Sequence, residues 1–119
     1  GETVLYKTTD SENIIPTTWE NLGLMNNNEE EISRIAATRG VYNPEKSYLL
    51  VGGQNGTILK LDDPQNATGE TALSSAKNIT PQGFPTDNRS IVSGIAIHPT
   101  NPDIVLVTYS NYGLKNIYP

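Results

Sequence analysis

The sequence has no cysteine and only one histidine among its 119 residues. Without cysteine, the chain cannot form disulfides, thiolate zinc sites or a cysteine nucleophile. His98 alone cannot supply a two-histidine metal site, and we expect no catalytic residue, metal or cofactor in this chain. The His-Pro pair at 98–99 is typical of a hydrogen-bonded turn at the end of a strand.

Basic residues are also scarce, with eight Lys and Arg against 13 Asp and Glu, for a net charge of −5. No Lys/Arg cluster is present, so we expect no nucleic-acid partner. No apolar run approaches the roughly 18 residues of a membrane helix, so we expect no membrane span. The acidic run 29–31 predicts a solvated loop. Arg39 and Arg89 have the chemistry to hold a carboxylate but stand isolated in the sequence.

One pattern occurs twice, about sixty residues apart. Residues 32–36 (ISRIA) return as 92–96 (VSGIA), and each copy leads into an Asn-Pro turn, a short apolar run and a glycine turn. The turns are Asn43-Pro44 and Asn101-Pro102, and the apolar runs are 48–51 and 104–107. Strands and turns repeated at this spacing predict a modular β architecture.

Nothing in the chain sustains a helical period, and only residues 71–77 are weakly helix-like, so we predict an all-β fold. The run at 48–52 is nearly continuous in apolar residues, which is typical of a strand covered on both faces. The predicted strands cover residues 3–8, 18–22, 32–38, 48–52, 57–61, 78–84, 91–98, 104–108 and 114–118.

A second register divides the chain. Residues 5–10 (LYKTTD) align with 58–63 (ILKLDD), and 117–118 begins a third copy. We therefore treat residues 1–119 as one partial domain with repeat units at approximately 5–58 and 59–118, cut within a unit at both ends. We expect such a chain to be an excerpt of a longer protein.

Residues 92–108 (VSGIAIHPTNPDIVLVT) resemble a blade of the sortilin-type and Asp-box (BNR-like) β-propellers, in which a strand, a His-Pro-x-Asn-Pro turn and a Val-rich strand recur. The resemblance implies β-propeller blades, here about two four-stranded repeats of a larger propeller. Two blades cannot close a ring of the usual four to eight. It therefore implies that the partners are the remaining blades of the same parent protein or copies of this chain.

Residues 6–10 (YKTTD), with Thr18-Trp19 downstream, are similar to the Asp-box of these propellers, Ser/Thr-x-Asp-x-Gly-x-Thr-Trp. In that box the carboxylate accepts backbone N–H groups and the tryptophan packs beneath it, which implies structural roles for Asp10 and Trp19. The match lacks the box glycine and contains an insertion at 11–17.

The corresponding pair Asp62-Asp63 has no tryptophan after it. Adjacent strand residues point to opposite faces, so these two acids cannot both flank one glycosidic bond. We predict that Asp63 is a structural turn residue.

The turn after the strand at 104–108 is the candidate binding surface. Tyr109 and Tyr112 flank it with Asn111 between them, and aromatic faces beside an amide suit stacking against a sugar or protein ligand. Trp19 and Tyr118 fit blade-core packing better.

The resemblance, the acidic charge and the Asn/Thr-rich loops together indicate a non-catalytic part of an exported or cell-surface propeller of bacterial origin, which binds protein or glycan through rim loops. Two alternatives remain open. One is a fragment of a xyloglucanase-like or sialidase-like glycoside hydrolase with its catalytic acids outside this chain. The other is a structural scaffold within a larger adhesin or secretion assembly.

Overall fold

The computed structural model describes residues 5–7, 20–23, 30–84, 86, 90–110 and 117–118. This part of the chain is mostly β, as predicted, and its sheets are antiparallel. The strands are β1 Tyr6–Lys7, β2 Glu20–Asn21, β3 Ile32–Ala37, β4 Tyr48–Gly53, β5 Ile58–Asp62, β6 Lys77–Asn78, β7 Ile91–Ile97, β8 Val105–Ser110 and β9 Ile117–Tyr118. A 3-10 turn at Pro64–Asn66 and the four-residue helix α1 Ala72–Ser75 connect β5 to β6. None of the helices in the described ranges is long and apolar enough to cross a membrane.

The strands form three sheets in chain order. The first sheet pairs β1 with β2, the central sheet has the order β3-β4-β5-β6, and the third has the order β7-β8-β9. Because each strand pairs with the next along the chain, the central and third sheets are simple meanders.

The central sheet is covered on both faces, which confirms the expectation for the run at 48–52. Val51 belongs to an apolar cluster with Leu22, next to the first sheet. Leu50 belongs to a second cluster with Val92 and Val107 of the third sheet. Adjacent residues of a strand point to opposite faces, so β4 contributes to both clusters. Its residues are therefore apolar on both faces and do not alternate with polar ones.

The two repeats share a β-bulge at the same place. In the central sheet the register shifts between Ile32 and Arg34, and in the third sheet it shifts between Val92 and Gly94. The unpaired residue is a serine in both repeats, Ser33 and Ser93. A bulge twists its strand locally and is a specific feature of a sheet rather than an error in it.

The serine at the first bulge joins the two sheets. The Ser33 hydroxyl lies 2.7 Å from the carbonyl oxygen of Val92. Beside it, the Arg34 Nε donates to the carbonyl oxygen of Ser93 at 2.9 Å. The sheets therefore meet with their bulges side by side, and polar contacts fix the position of one sheet on the other.

Gly52 allows this close approach. A Cβ at this position would lie 2.5 Å from Cγ1 of Val92 and 2.8 Å from its Cβ. Thr108 occupies the matching position in the third sheet, since it pairs with Gly94 as Gly52 pairs with Arg34. The repeat thus has a glycine where the third sheet packs on the central one, and a threonine at the matching position of the third sheet, where the described residues include no further sheet.

Glu30 corrects the prediction that the acidic run is a solvated loop. Its side chain is only 3% exposed. The carboxylate accepts the backbone N–H of Asn55 at 2.8 Å and that of Thr57 at 3.3 Å. Glu30 therefore serves as the internal acceptor for the turn between β4 and β5.

Replacing Glu30 with alanine should lower the free energy of unfolding by about 2–3 kcal/mol, because two partly buried N–H groups lose their carboxylate acceptor. Urea denaturation measures the change. Glu70→Ala, at an exposed position, is the matched control and should be within about 0.5 kcal/mol of the natural chain. Equal costs for the two substitutions would contradict the role given to Glu30.

Candidate functional site

The two Asn-Pro turns share one hydrogen bond between the asparagine side chain and the backbone. The Asn43 side-chain oxygen accepts the N–H of Glu45 at 2.9 Å, and that of Asn101 accepts the N–H of Asp103 at 3.1 Å. Asparagine at such a position stabilises the turn by bonding the backbone two residues on. The two halves of the repeat therefore share this local hydrogen bond, although nine residues separate Thr38 from Tyr48 and five separate His98 from Ile104.

The residues before the turns are equivalent as well. The Thr38 N–H donates to the carbonyl oxygen of Tyr48 at 3.1 Å, and the His98 N–H donates to that of Ile104 at 2.9 Å. Because the sheets pack side by side, these positions bring the turns of both repeats to the same end of the structure. They enclose a concavity of about 200 Å³.

We call this concavity the turn pocket. It carries the side chains of three basic residues, with hydroxyl, amide and proline groups around them. Its lining consists of Thr38, Arg39, Val41, Asn43, Lys46, Ser47, His98, Pro99, Thr100 and Pro102.

His98 is held by its own turn. Its Nδ1 accepts the backbone N–H of Thr100 at 3.2 Å and that of Asn101 at 3.1 Å. An Nδ1 that accepts two N–H groups assigns the ring proton to Nε2 in the neutral ring. The predicted turn role of His98 is present in the structure, and Nε2 is left as the donor of the ring.

No family model, curated protein or solved structure matches this chain. The geometry of the described residues therefore carries the functional argument.

A larger groove lies between the central and third sheets. It has a volume of about 370 Å³ and is mainly apolar, with Leu50, Ile79 and Phe84 in its lining. Lys60 Nζ lies 4.6 Å from the centroid of the Tyr48 ring, which is also in this groove. Burial raises the pKa of Tyr48, and the charge of Asp103 adds to this effect.

Tyr109 lies in the core rather than on an exposed rim. Its side chain is 2% exposed, its hydroxyl donates to the carbonyl oxygen of Gly56 at 2.9 Å, and its ring meets Phe84 edge to face. This tyrosine is therefore a contact between the sheets, and it offers no stacking surface. The other predicted binding residues, Asn111 and Tyr112, lie outside the described residues, as do Asp10, Trp19 and Arg89.

Asp63 organises a turn. Its backbone is left-handed, with φ 48°, and its carboxylate accepts the Tyr42 hydroxyl and the Asn66 amide, the latter at 2.9 Å. These hydrogen bonds, that of Tyr42 first, hold the pKa of Asp63 below its usual range. Asp62 faces other partners, since it lies 3.4 Å from Lys60 Nζ and 3.9 Å from Lys77 Nζ. The two acids are thus engaged separately.

The sequence indicated two of the three basic residues in the turn pocket but not that they meet. The sequence pattern points to Arg39 and His98 separately and gives no signal for Lys46, which also lines the pocket. The repeat is the feature of the sequence that could have predicted this meeting. Corresponding turns of two stacked repeats lie at the same end of the stack, so their side chains come close together. Within the described residues no group of three or more Asp, Glu or His side chains is placed to hold a metal ion.

Proposed function

We propose that this chain is a pair of consecutive blades in an exported or cell-surface β-propeller, and that it binds protein or glycan through its rim loops without catalysis. The supporting observation is a difference between equivalent residues in the two repeats. Leu50 is fully buried, whereas Leu106 is 44% exposed. Tyr48 is 7% exposed, whereas Ile104 is 53% exposed.

These pairs are equivalent by register. Leu50 pairs with Ala36 in the central sheet, and Leu106 pairs with Ala96 in the third. Leu50 is buried because the third sheet packs over it. Val107 packs on the central sheet, so Leu106, its neighbour in β8, lies on the opposite face of the third sheet and belongs to neither apolar cluster of the described residues.

A further sheet of the same repeat is the occupant that fits the outer face of the third sheet. The face presents leucine and isoleucine at the positions where the central sheet presents leucine and tyrosine to its neighbour. Stacking repeats bury a continuous core that one repeat cannot bury alone. In the proposed propeller, this sheet is the next blade of the same parent protein.

Because the chain has no cysteine, a single thiol can report on this face. The test uses an extended chain in which residues 58–119 are repeated directly after Asn116, so that Ile58 of the added part takes the place of Ile117. Both the extended chain and its unextended reference carry Thr108→Gly. In the extended chain, the second copy of Val92 packs against position 108, and a glycine is needed there just as Gly52 is needed against the first copy. The reaction rate of Leu106→Cys with a maleimide is then compared between the two chains.

We expect rapid labelling of Leu106→Cys in the reference chain and at least about tenfold protection in the extended chain, since burial limits reaction to the opened state. Val41→Cys, at a 96% exposed position, should react rapidly in both, and Ala67→Cys, at a 6% exposed position, slowly in both. Equal labelling of Leu106→Cys in the two chains would overturn the proposal. Protection in the reference chain that rises with protein concentration would instead assign the face to a second copy.

A further inference from the structure

The turn pocket places two positive charges together in an acidic chain. Arg39 and Lys46 line it beside His98, and its lining contains no acidic residue, although the net charge of the chain is −5. Glu45 and Asp103 are close in sequence but are not part of the lining. Neither Arg39 nor Lys46 forms an ion pair with any described residue, so their charges are available to a ligand.

The floor of the turn pocket is fixed by its own hydrogen bonds. Ser47 is buried, and its hydroxyl oxygen accepts the N–H of Asn43 at 2.9 Å. The Thr38 hydroxyl accepts the N–H of Tyr48 at 3.1 Å. Together with the two N–H groups on His98 Nδ1, these bonds hold the turns in place before any ligand arrives, which reduces the entropy lost on binding.

The size and the walls of the pocket select a small ligand with an apolar side. A volume of about 200 Å³ has room for roughly seven water molecules. Val41, Pro99 and Pro102 form the apolar part of its wall. A pyranose ring presents C–H groups to such a wall and hydroxyl groups to the Asn43 amide.

From this arrangement we propose that the turn pocket binds an acidic monosaccharide unit through its carboxylate. The Arg39 guanidinium takes the carboxylate in a bidentate hydrogen bond, for which its planar fork is suited. Lys46 adds a point charge, and His98 Nε2–H donates to a ring substituent. The inference rests on the proposed glycan-binding role but not on the propeller arrangement.

Binding of glucuronate to the natural chain at low ionic strength tests this site, with backbone amide NMR shifts as the readout. We expect saturable shifts at residues 38–47 and 98–102, and no saturation with glucose. Lys46→Gln and Arg39→Gln should each weaken binding about three- to tenfold, as expected for exposed charge-assisted contacts. Lys77→Gln removes an exposed charge outside the pocket and should leave the affinity unchanged.

Three results would overturn the site. One is the absence of saturable shifts in the two turns. Another is equal weakening by Lys77→Gln, which would indicate attraction by net charge alone. The last is binding of inorganic phosphate as tight as that of glucuronate, which would show that the sugar ring contributes nothing. None of these results affects thiol protection of Leu106→Cys, so failure of this site and failure of the blade proposal are distinguishable.

Discussion

Replacing Leu50 with alanine should lower the free energy of unfolding by about 2–5 kcal/mol, whereas Leu106→Ala should cost less than about 1 kcal/mol. The two substitutions remove the same atoms from equivalent strands. Leu50 is fully buried between the central and third sheets, so its removal leaves a cavity as well as lost apolar burial. Leu106 is 44% exposed, so solvent already reaches much of its side chain.

Urea denaturation of the two variants and the natural chain gives this difference directly. Equal slopes of the unfolding free energy against urea concentration would show that the variants expose the same surface area on unfolding. Their midpoints can then be compared directly. Similar costs for Leu50→Ala and Leu106→Ala would contradict the packing of the third sheet on the central one.

Gly52→Val should destabilise the chain by about 3 kcal/mol, in the upper part of the usual range for overpacked cores. Even the Cβ of the new side chain would overlap Val92, whose own side chain is fully buried and branched. Valine has a higher strand propensity than glycine, so a loss of stability would come from the steric clash between the two sheets. Thermal or urea unfolding measures it.

Thr108→Val is the matched control for this substitution. It places the same residue at the equivalent position on the outer face, where the Thr108 hydroxyl contacts that of Ser93 at 3.0 Å. Loss of this one contact should cost about 1 kcal/mol or less. If Gly52→Val were as well tolerated as Thr108→Val, the sheets would have to be further apart than the structure places them.

The repeat made much of the fold predictable. Residues 32–36 and 92–96 both begin a meander, and each of the nine predicted strands overlaps an observed strand. The continuous apolar run at 48–52 predicted a strand covered on both faces, because a one-sided strand would alternate. Short-range pattern was sufficient for these features, since the period of a strand and the chemistry of an Asn-Pro turn are local.

Contacts between distant segments were not predictable in the same way. The sequence pattern predicts that Glu30 belongs to a solvated acidic run, but its carboxylate accepts N–H groups of a turn about 25 residues later. The pattern predicts an exposed turn beside Tyr109, but the Tyr109 hydroxyl donates to the carbonyl oxygen of Gly56 in the turn between β4 and β5. In both cases the environment of the side chain is set by how the sheets pack, which the local pattern does not contain.

The turn pocket shows the same limit. Its basic residues come from turns that are far apart in sequence, and they meet only because equivalent turns of adjacent sheets end together. An isolated arginine or histidine carries little information about a site. The alignment of the two repeats shows which of these residues lie at corresponding positions and can therefore be close in space.

The most direct test of the account is the cost of Leu106→Ala in the extended chain that carries Thr108→Gly. The account predicts that this cost rises from less than about 1 kcal/mol to the roughly 2–5 kcal/mol expected for Leu50→Ala, because a further sheet then covers Leu106 as the third sheet covers Leu50. An unchanged cost would show that the outer face does not pack a sheet of this repeat, and would contradict the proposal that the two sheets are consecutive blades.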